Sequence, residues 1–252
     1  MNSDFLRGYI DLLDDSEVPN IFSLWASIAG VSCALGRKVW VDWGLFKIYP
    51  NFYIVLVAGS GQMKKSTAIN NMEEIIRLAD LKLNIISQML TPVALIDAMR
   101  VKEKVEGKKI ILDKGHCEGY VFADELNVFL NRKSFEAGLG TLPIPLYDCK
   151  TRLEYRTKSR GVEIVEDACL GMLAGSTVAF IKLAIPEEAI NTGLVSRILF
   201  VYADDPSPPV HKPSINEGLK ARLAEQLEPI SKLSGEMFVT SELLEYHKLM
   251  YD

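Results

Sequence analysis

The chain has 252 residues, 48% of them hydrophobic, which allows one large folded unit with a substantial core. Its formal net charge is −5, from 28 basic and 33 acidic residues; this excludes a surface that is basic throughout and confines any nucleic-acid contact to a local patch. No apolar run reaches the ~18–20 residues of a membrane span, no basic-then-apolar leader opens the chain, and Cys33, Cys117, Cys149 and Cys169 lack metal-ligand spacing, so a cytoplasmic protein with reduced thiols and no membrane contact is expected.

In chain order, the first 35 residues predict helix, with Ile21, Phe22, Leu24, Trp25 and Ile28 close to a 3.6-residue period and Gly36 as the stop. Residues 37–47 alternate as a strand does, with a hairpin turn near Gly44, and residues 1–50 read as a helix-plus-hairpin preface. The continuous apolar run Phe52–Ala58 suits a parallel strand buried on both faces. A helix from about Lys65 to Leu78, a strand at 83–87, a helix opened by Thr91-Pro92, and strands at 120–123, 169–174 and 197–202 follow. This alternation predicts an α/β fold: a three-layer P-loop NTPase core over 51–203, with a mostly parallel central sheet. Residues 204–214, with Pro206, Pro208, Pro209 and Pro213, read as a linker. The stretch 215–252 reads as a helical extension: an amphipathic helix carrying Leu219, Leu223, Leu227 and Ile230, a strand at 237–239, and a helix from Thr240 or Ser241. That helix has barely begun at Asp252, so the chain is expected to continue.

The first chemical signal lies between the buried strand and its helix: Gly59-Ser60-Gly61-Gln62-Met63-Lys64-Lys65-Ser66-Thr67. It follows G-x-x-x-x-G-K-[ST], in which backbone N–H groups cradle phosphates, the lysine (Lys65) reaches the β/γ-phosphates and the hydroxyl (Ser66) meets Mg²⁺. The departure is Lys64 at the second glycine position. If that position is left-handed, a lysine there costs about 1–2 kcal/mol; if it is helical, the cost is small.

The second signal is Tyr120-Val121-Phe122-Ala123-Asp124-Glu125, an apolar strand ending in two acids. Downstream of a P-loop, Asp124 is expected to hold Mg²⁺ and Glu125 to orient the attacking water. Ile110-Ile111-Leu112-Asp113, followed by Lys114-Gly115, reads instead as strand and turn. At the end of the 169–174 strand, Ser176 or Thr177 is placed to sense the γ-phosphate, with a plain helix cap as the competing reading. Residues 150–161 hold five basic residues, one acid and an aromatic. The segment predicts a hairpin in which Arg152, Arg156, Lys158 and Arg160 grip phosphates and Tyr155 stacks on a base of single-stranded DNA, a solvated face being the alternative. Arg197, at the mouth of the last strand, is either a surface-paired arginine or one supplied to a neighbouring subunit's γ-phosphate. His116, His211 and His247 are isolated.

The succession Tyr-Pro-Asn, Gly-Ser-Gly-Gln-Met-Lys-Lys-Ser-Thr, Ala-Asp-Glu-Leu, Leu-Tyr-Asp, Tyr-Arg-Thr-Lys-Ser-Arg-Gly, Leu-Ala-Gly-Ser-Thr and Gly-Leu-Val-Ser-Arg, spread over residues 5–250, resembles the helicase-like ATPase domains that follow primases in phages, plasmids and integrated elements. The resemblance implies a RecA- or AAA-like core, often assembled as a homo-oligomeric ring, that couples ATP hydrolysis to movement on DNA beside a primase. It places Lys65, Ser66, Asp124 and Glu125 at the ATPase positions and makes Arg197 the arginine acting in trans. The expected function is therefore an ATP- and Mg²⁺-dependent DNA motor, a replicative helicase domain of a mobile element. The alternatives are a loader or switch ATPase that does not translocate, a small-molecule kinase, and a P-loop kept only as scaffold.

Overall fold

The computed structural model describes residues 4–251 apart from 60, 62, 88–90, 101, 107–108, 114–116, 131–132, 134–136, 139, 158–160, 186–192 and 206. Two helices open the chain. In α1 (Phe5–Leu12) the Asp4 carboxylate caps the Leu6 N–H at 3.2 Å, and Phe5, Tyr9 and Leu12 form one buried stripe. A 3₁₀ turn (Asp14–Ser16) leads to α2 (Asn20–Leu35), whose stripe Phe22, Ala26, Ala29 and Cys33 is buried. Gly36 then ends α2 at φ 55°, a conformation that costs glycine little. Strands β1 (Val39–Asp42) and β2 (Lys47–Ile48) form the expected hairpin, with the Gly44 N–H held by Asp42 Oδ1 at 2.8 Å.

The centre is a five-stranded parallel sheet made of β3 (Tyr53–Val57), β4 (Ile85–Ser87), β7 (Glu118–Ala123), β10 (Cys169–Ser176) and β11 (Ile198–Tyr202). Their spatial order is β11-β3-β10-β7-β4, so the first sheet strand lies second and the fourth lies between it and the third. Every residue of β3 is buried because successive side chains enter different cores. Ile54 and Leu56 join a core with α1, α2 and α3 (Lys65–Leu78). Tyr53, Val55 and Val57 join a second core with α4 (Pro92–Met99), α5 (Leu126–Phe129) and α6 (Pro143–Tyr147). This is the three-layer α/β arrangement, with helices on both faces of a parallel sheet.

Two hairpins interrupt the alternation. β5 (Lys102–Glu106) pairs antiparallel with β6 (Lys109–Asp113), which makes 110–113 a strand, as its sequence suggests. β8 (Arg152–Thr157) pairs antiparallel with β9 (Gly161–Glu166) as a hairpin. After β10, α7 (Val178–Ala184) is capped by Thr177.

The C-terminal part is bound to the preface. α8 (Glu217–Ser231) buries Leu223 and Leu227 in the first core, and its buried Lys220 pairs with Glu74 of α3. β12 (Gly235–Glu236) adds in parallel to β1, so this strand falls two residues earlier than the apolar triplet 237–239 suggested. There Phe238 is 95% exposed: the backbone is paired through Gly235 and Glu236 while the large side chains beyond are not buried. α9 (Ser241–Tyr251) follows. Among the described residues no helix is long and apolar enough to cross a membrane, and the four cysteines are buried with no disulfide between them.

Candidate phosphate site

The sheet brings three of the sequence signals to one edge. The loop after β3 begins at Ala58, the acidic pair follows Ala123 of β7, and Ser176 closes β10, which lies between them. Register fixes the levels: Ser176 is opposite Val57, and Ala174 is opposite Ala123, so Ser176 stands beyond the last β7 residue and beside the turn that carries Asp124 and Glu125. Gly175 permits this closeness. A Cβ there would lie 2.4 Å from the Asp124 carbonyl oxygen, so only glycine lets the acidic turn approach β10. The apolar-then-small character of Leu173-Ala174-Gly175-Ser176 was the one sequence hint of it.

Within the loop, Met63 is buried in the first core and anchors the turn. Gly61 has φ 72° and Gly59 precedes it on the exposed side; Ser60 and Gln62 lie outside the described residues. Lys64 adopts the left-handed conformation, φ 46° and ψ 36°, and helical residues from Lys65 follow. A left-handed residue followed by a right-handed one turns successive N–H groups into a concavity that accepts an anion. The Lys64 carbonyl receives the Thr67 N–H at 3.0 Å, so the N–H groups of Lys65 and Ser66 come before the first intrahelical bond and point out of the helix start. Lysine therefore occupies the glycine position in glycine's own conformation, at a cost of about 1–2 kcal/mol. Its ammonium lies 3.4 Å from Glu17 Oε2, and Glu17 Oε1 accepts the Val210 N–H at 2.8 Å. The Val210 bond first, and Lys64 after it, hold the Glu17 carboxyl below the usual carboxylate range.

Lys65 is only 7% exposed and its Nζ donates to the Ala58 and Gly59 carbonyls at 3.2 and 3.1 Å, folded back along the loop. Burial lowers its pKa from the ordinary lysine value, and the Glu125 carboxylate opposes that shift. Glu125 Oε2 is buried with no hydrogen-bond partner among the described residues. A buried carboxylate oxygen left without a donor is costly. Asp124 is exposed and accepts from Asn70 Nδ2 at 3.4 Å. Asn70 and Ser66 are four residues apart on α3 and share a face, so Ser66 lies one helical turn before the residue that meets Asp124. Among the described residues no group of three His, Cys, Asp or Glu side chains could hold a metal ion by itself. A divalent ion between Ser66 and Asp124 would complete its shell with phosphate and water oxygens, the mode Mg²⁺ prefers, so these donors fit Mg²⁺-nucleotide.

Ser176 is 1% exposed and its hydroxyl reaches the Thr177 carbonyl at 3.4 Å. Thr177 caps α7, its Oγ1 accepting the Phe180 N–H at 3.2 Å, which matches the cap reading and leaves Ser176 as the better placed of the two. No family model matches this chain, and no curated protein matches it.

Arg197 lies elsewhere. β11 runs parallel to β3 with Ile198 opposite Tyr53, so Arg197 stands at the start of these strands while the cradle follows their end. Five residues of strand separate the two levels by about 16 Å. The guanidinium makes a bidentate pair with Asp148 (Nε–Oδ1 2.9 Å, Nη2–Oδ2 3.0 Å), and Nη1 donates to the Gly193 carbonyl at 2.7 Å. Tyr147, whose ring centroid is 5.9 Å away, is locked edge-on against Tyr53. The Leu-Tyr-Asp segment is thus the seat of the arginine, a link that 49 residues of separation hid.

The β8–β9 hairpin has the expected shape and a different charge distribution. Arg152 pairs with Glu154 and Glu166, and Arg156 pairs with Glu154, whose carboxyl these arginines hold below its usual range. Tyr155 and Leu153 are half-buried against the second core, so Tyr155 is engaged in packing rather than presented as a stacking platform. Lys158 and Arg160 lie outside the described residues.

Proposed function

We propose that the chain binds Mg²⁺-ATP at the loop Gly59–Thr67 and hydrolyses it, as an ATPase motor acting on DNA. The observation that carries this reading is the convergence, at one edge of the parallel sheet, of the left-handed Lys64 turn, buried Lys65, Ser176 and the partnerless Glu125 oxygen. Backbone N–H groups of the turn and of the α3 start bind the phosphates. Lys65 swings from the Ala58 and Gly59 carbonyls to the γ-phosphate, where its charge offsets what develops in the transition state. Mg²⁺, when bound with the nucleotide, neutralises β- and γ-phosphate charge; Ser66 and Asp124 hold its shell. Glu125 accepts a hydrogen bond from water and aims its lone pair at the γ-phosphorus, in line with the bond to the leaving β-phosphate oxygen. Ser176 donates to a γ-phosphate oxygen.

The ~16 Å offset of Arg197 puts it beyond reach of its own cradle, so its catalytic use requires a second copy, as in a homo-oligomeric ring. The β8–β9 hairpin, whose sequence adds Lys158 and Arg160 to the self-paired arginines, is the proposed contact to single-stranded DNA. A helicase of a phage or other mobile element working beside a primase is the finer form of this proposal. Steady-state ATP hydrolysis with Mg²⁺ over a range of protein concentrations, with and without single-stranded DNA, tests it. Stimulation by DNA and specific activity that rises with concentration are expected. Hydrolysis indifferent to DNA would favour a loader or switch, and phosphate transfer to a nucleoside in place of water would favour a kinase.

A further inference from the structure

Lys64 and Glu17 are 47 positions apart, and both hold left-handed backbone, φ 46° and φ 61°, that residues other than glycine rarely adopt. Glu17 occupies the turn between the 3₁₀ segment and α2. From there one carboxylate oxygen meets Lys64 Nζ at 3.4 Å and the other accepts the Val210 N–H at 2.8 Å. The pair is partly shielded: the Glu17 side chain is 23% exposed and that of Lys64 43%. Three separate segments therefore meet at one carboxylate: the preface, the phosphate loop and the proline-rich stretch leading to α8. The preface grips the same helix start a second time, through Tyr9 Oη to the Ala68 carbonyl at 2.5 Å.

We infer that Glu17 is a positioning residue of the phosphate site: by holding the Lys64 ammonium it keeps Lys64 in the left-handed conformation that shapes the anion-binding turn, with Val210 fixing the carboxylate in turn. The clamp replaces what a glycine at position 64 would do unaided. It makes the nucleotide site depend on the preface and on the segment after β11, neither of which contributes a residue to the P-loop itself. This inference rests on the phosphate-site reading.

The test is a double-substitution cycle with Glu17→Gln, Lys64→Gly and both together. Glu17→Gln keeps an oxygen for the Val210 N–H and removes only the charge facing Lys64, so the fold is retained. Two quantities are read: the dissociation constant for a non-hydrolysable ATP analogue with Mg²⁺, and the thermal midpoint without nucleotide. Glu17→Gln is expected to weaken binding roughly fivefold and to lower the midpoint by about 2–4 °C in the Lys64 chain. In the Lys64→Gly chain it should add nothing to either. Equal effects in both backgrounds, or none in the Lys64 chain, would overturn the clamp. The two readings fail separately. A wild-type chain that binds no analogue, yet shows the midpoint coupling, would refute the phosphate site and leave the clamp standing. Tight binding without coupling in either measurement would refute the clamp alone.

Discussion

The two edges of the parallel sheet carry the same kinds of side chain in opposite states of satisfaction. At the edge where the strands end, Lys65 has only loop carbonyls of its own chain, Glu125 keeps a buried oxygen without a donor, and Lys64 sits in a conformation lysine disfavours. Where the strands begin, Arg197 has a bidentate carboxylate, a carbonyl and an aromatic neighbour, and is tied into the fold by Asp148 and Tyr147. Strain and orphaned polar groups concentrate where a ligand would relieve them, whereas at the far edge Arg197 is already paired with Asp148, the surface-paired arginine that the sequence allowed. On the proposed reading the first edge binds and hydrolyses the chain's own nucleotide, and a catalytic use of the second would require Arg197 to leave Asp148 for another copy.

The largest expected effect breaks this comparison at the far edge. Arg197→Ala should lower hydrolysis by about 10³–10⁵-fold while leaving nucleotide binding intact. Mixing it with Lys65→Ala should restore part of the activity, since each variant lacks what the other supplies; no recovery on mixing would place the arginine's role within one chain. At the near edge, Glu125→Gln should cost about 10²–10⁴-fold in kcat with the ATP dissociation constant unchanged, read by rapid-quench turnover beside equilibrium binding. Gly175→Ala sharpens the geometry rather than the chemistry. Its methyl would meet the Asp124 carbonyl oxygen at 2.4 Å, so a loss of about 1–3 kcal/mol in unfolding free energy is expected, measured by denaturant titration. The smallest effect is at the hairpin. Lys158→Ala and Arg160→Ala should each reduce the salt dependence of single-strand binding by about 0.7 in log–log slope, and Arg152→Ala by less, because Arg152 already faces Glu154 and Glu166.

Local patterns read well from the sequence. The run 52–58, the helix over 65–78, the Thr91-Pro92 start and the hairpin around 158–160 all have signals contained within a dozen residues, and each is where it was expected. What stayed hidden was long-range pairing. Nothing near Glu17 announces Lys64, nothing near Asp148 announces Arg197, and the closeness of Gly175 to Asp124 appears only once β10 lies against β7. The position of β12 was missed because its pairing with β1 is made by the backbone from Gly235, before the apolar triplet, and leaves the Phe238 side chain exposed. One miss was avoidable. Arg152, Glu154 and Arg156 alternate on one strand face, so their mutual neutralisation was written in the period-two spacing.

The central claim, that the edge holding Lys65 is an ATP site, is tested most directly by steady-state hydrolysis of Mg²⁺-ATP by the wild-type chain and by Lys65→Ala under identical conditions. Measurable turnover is expected from the wild-type chain, falling by at least about 10²–10³-fold in the variant, with an unchanged thermal midpoint showing that the fold is kept. Equal turnover in the two proteins would contradict it.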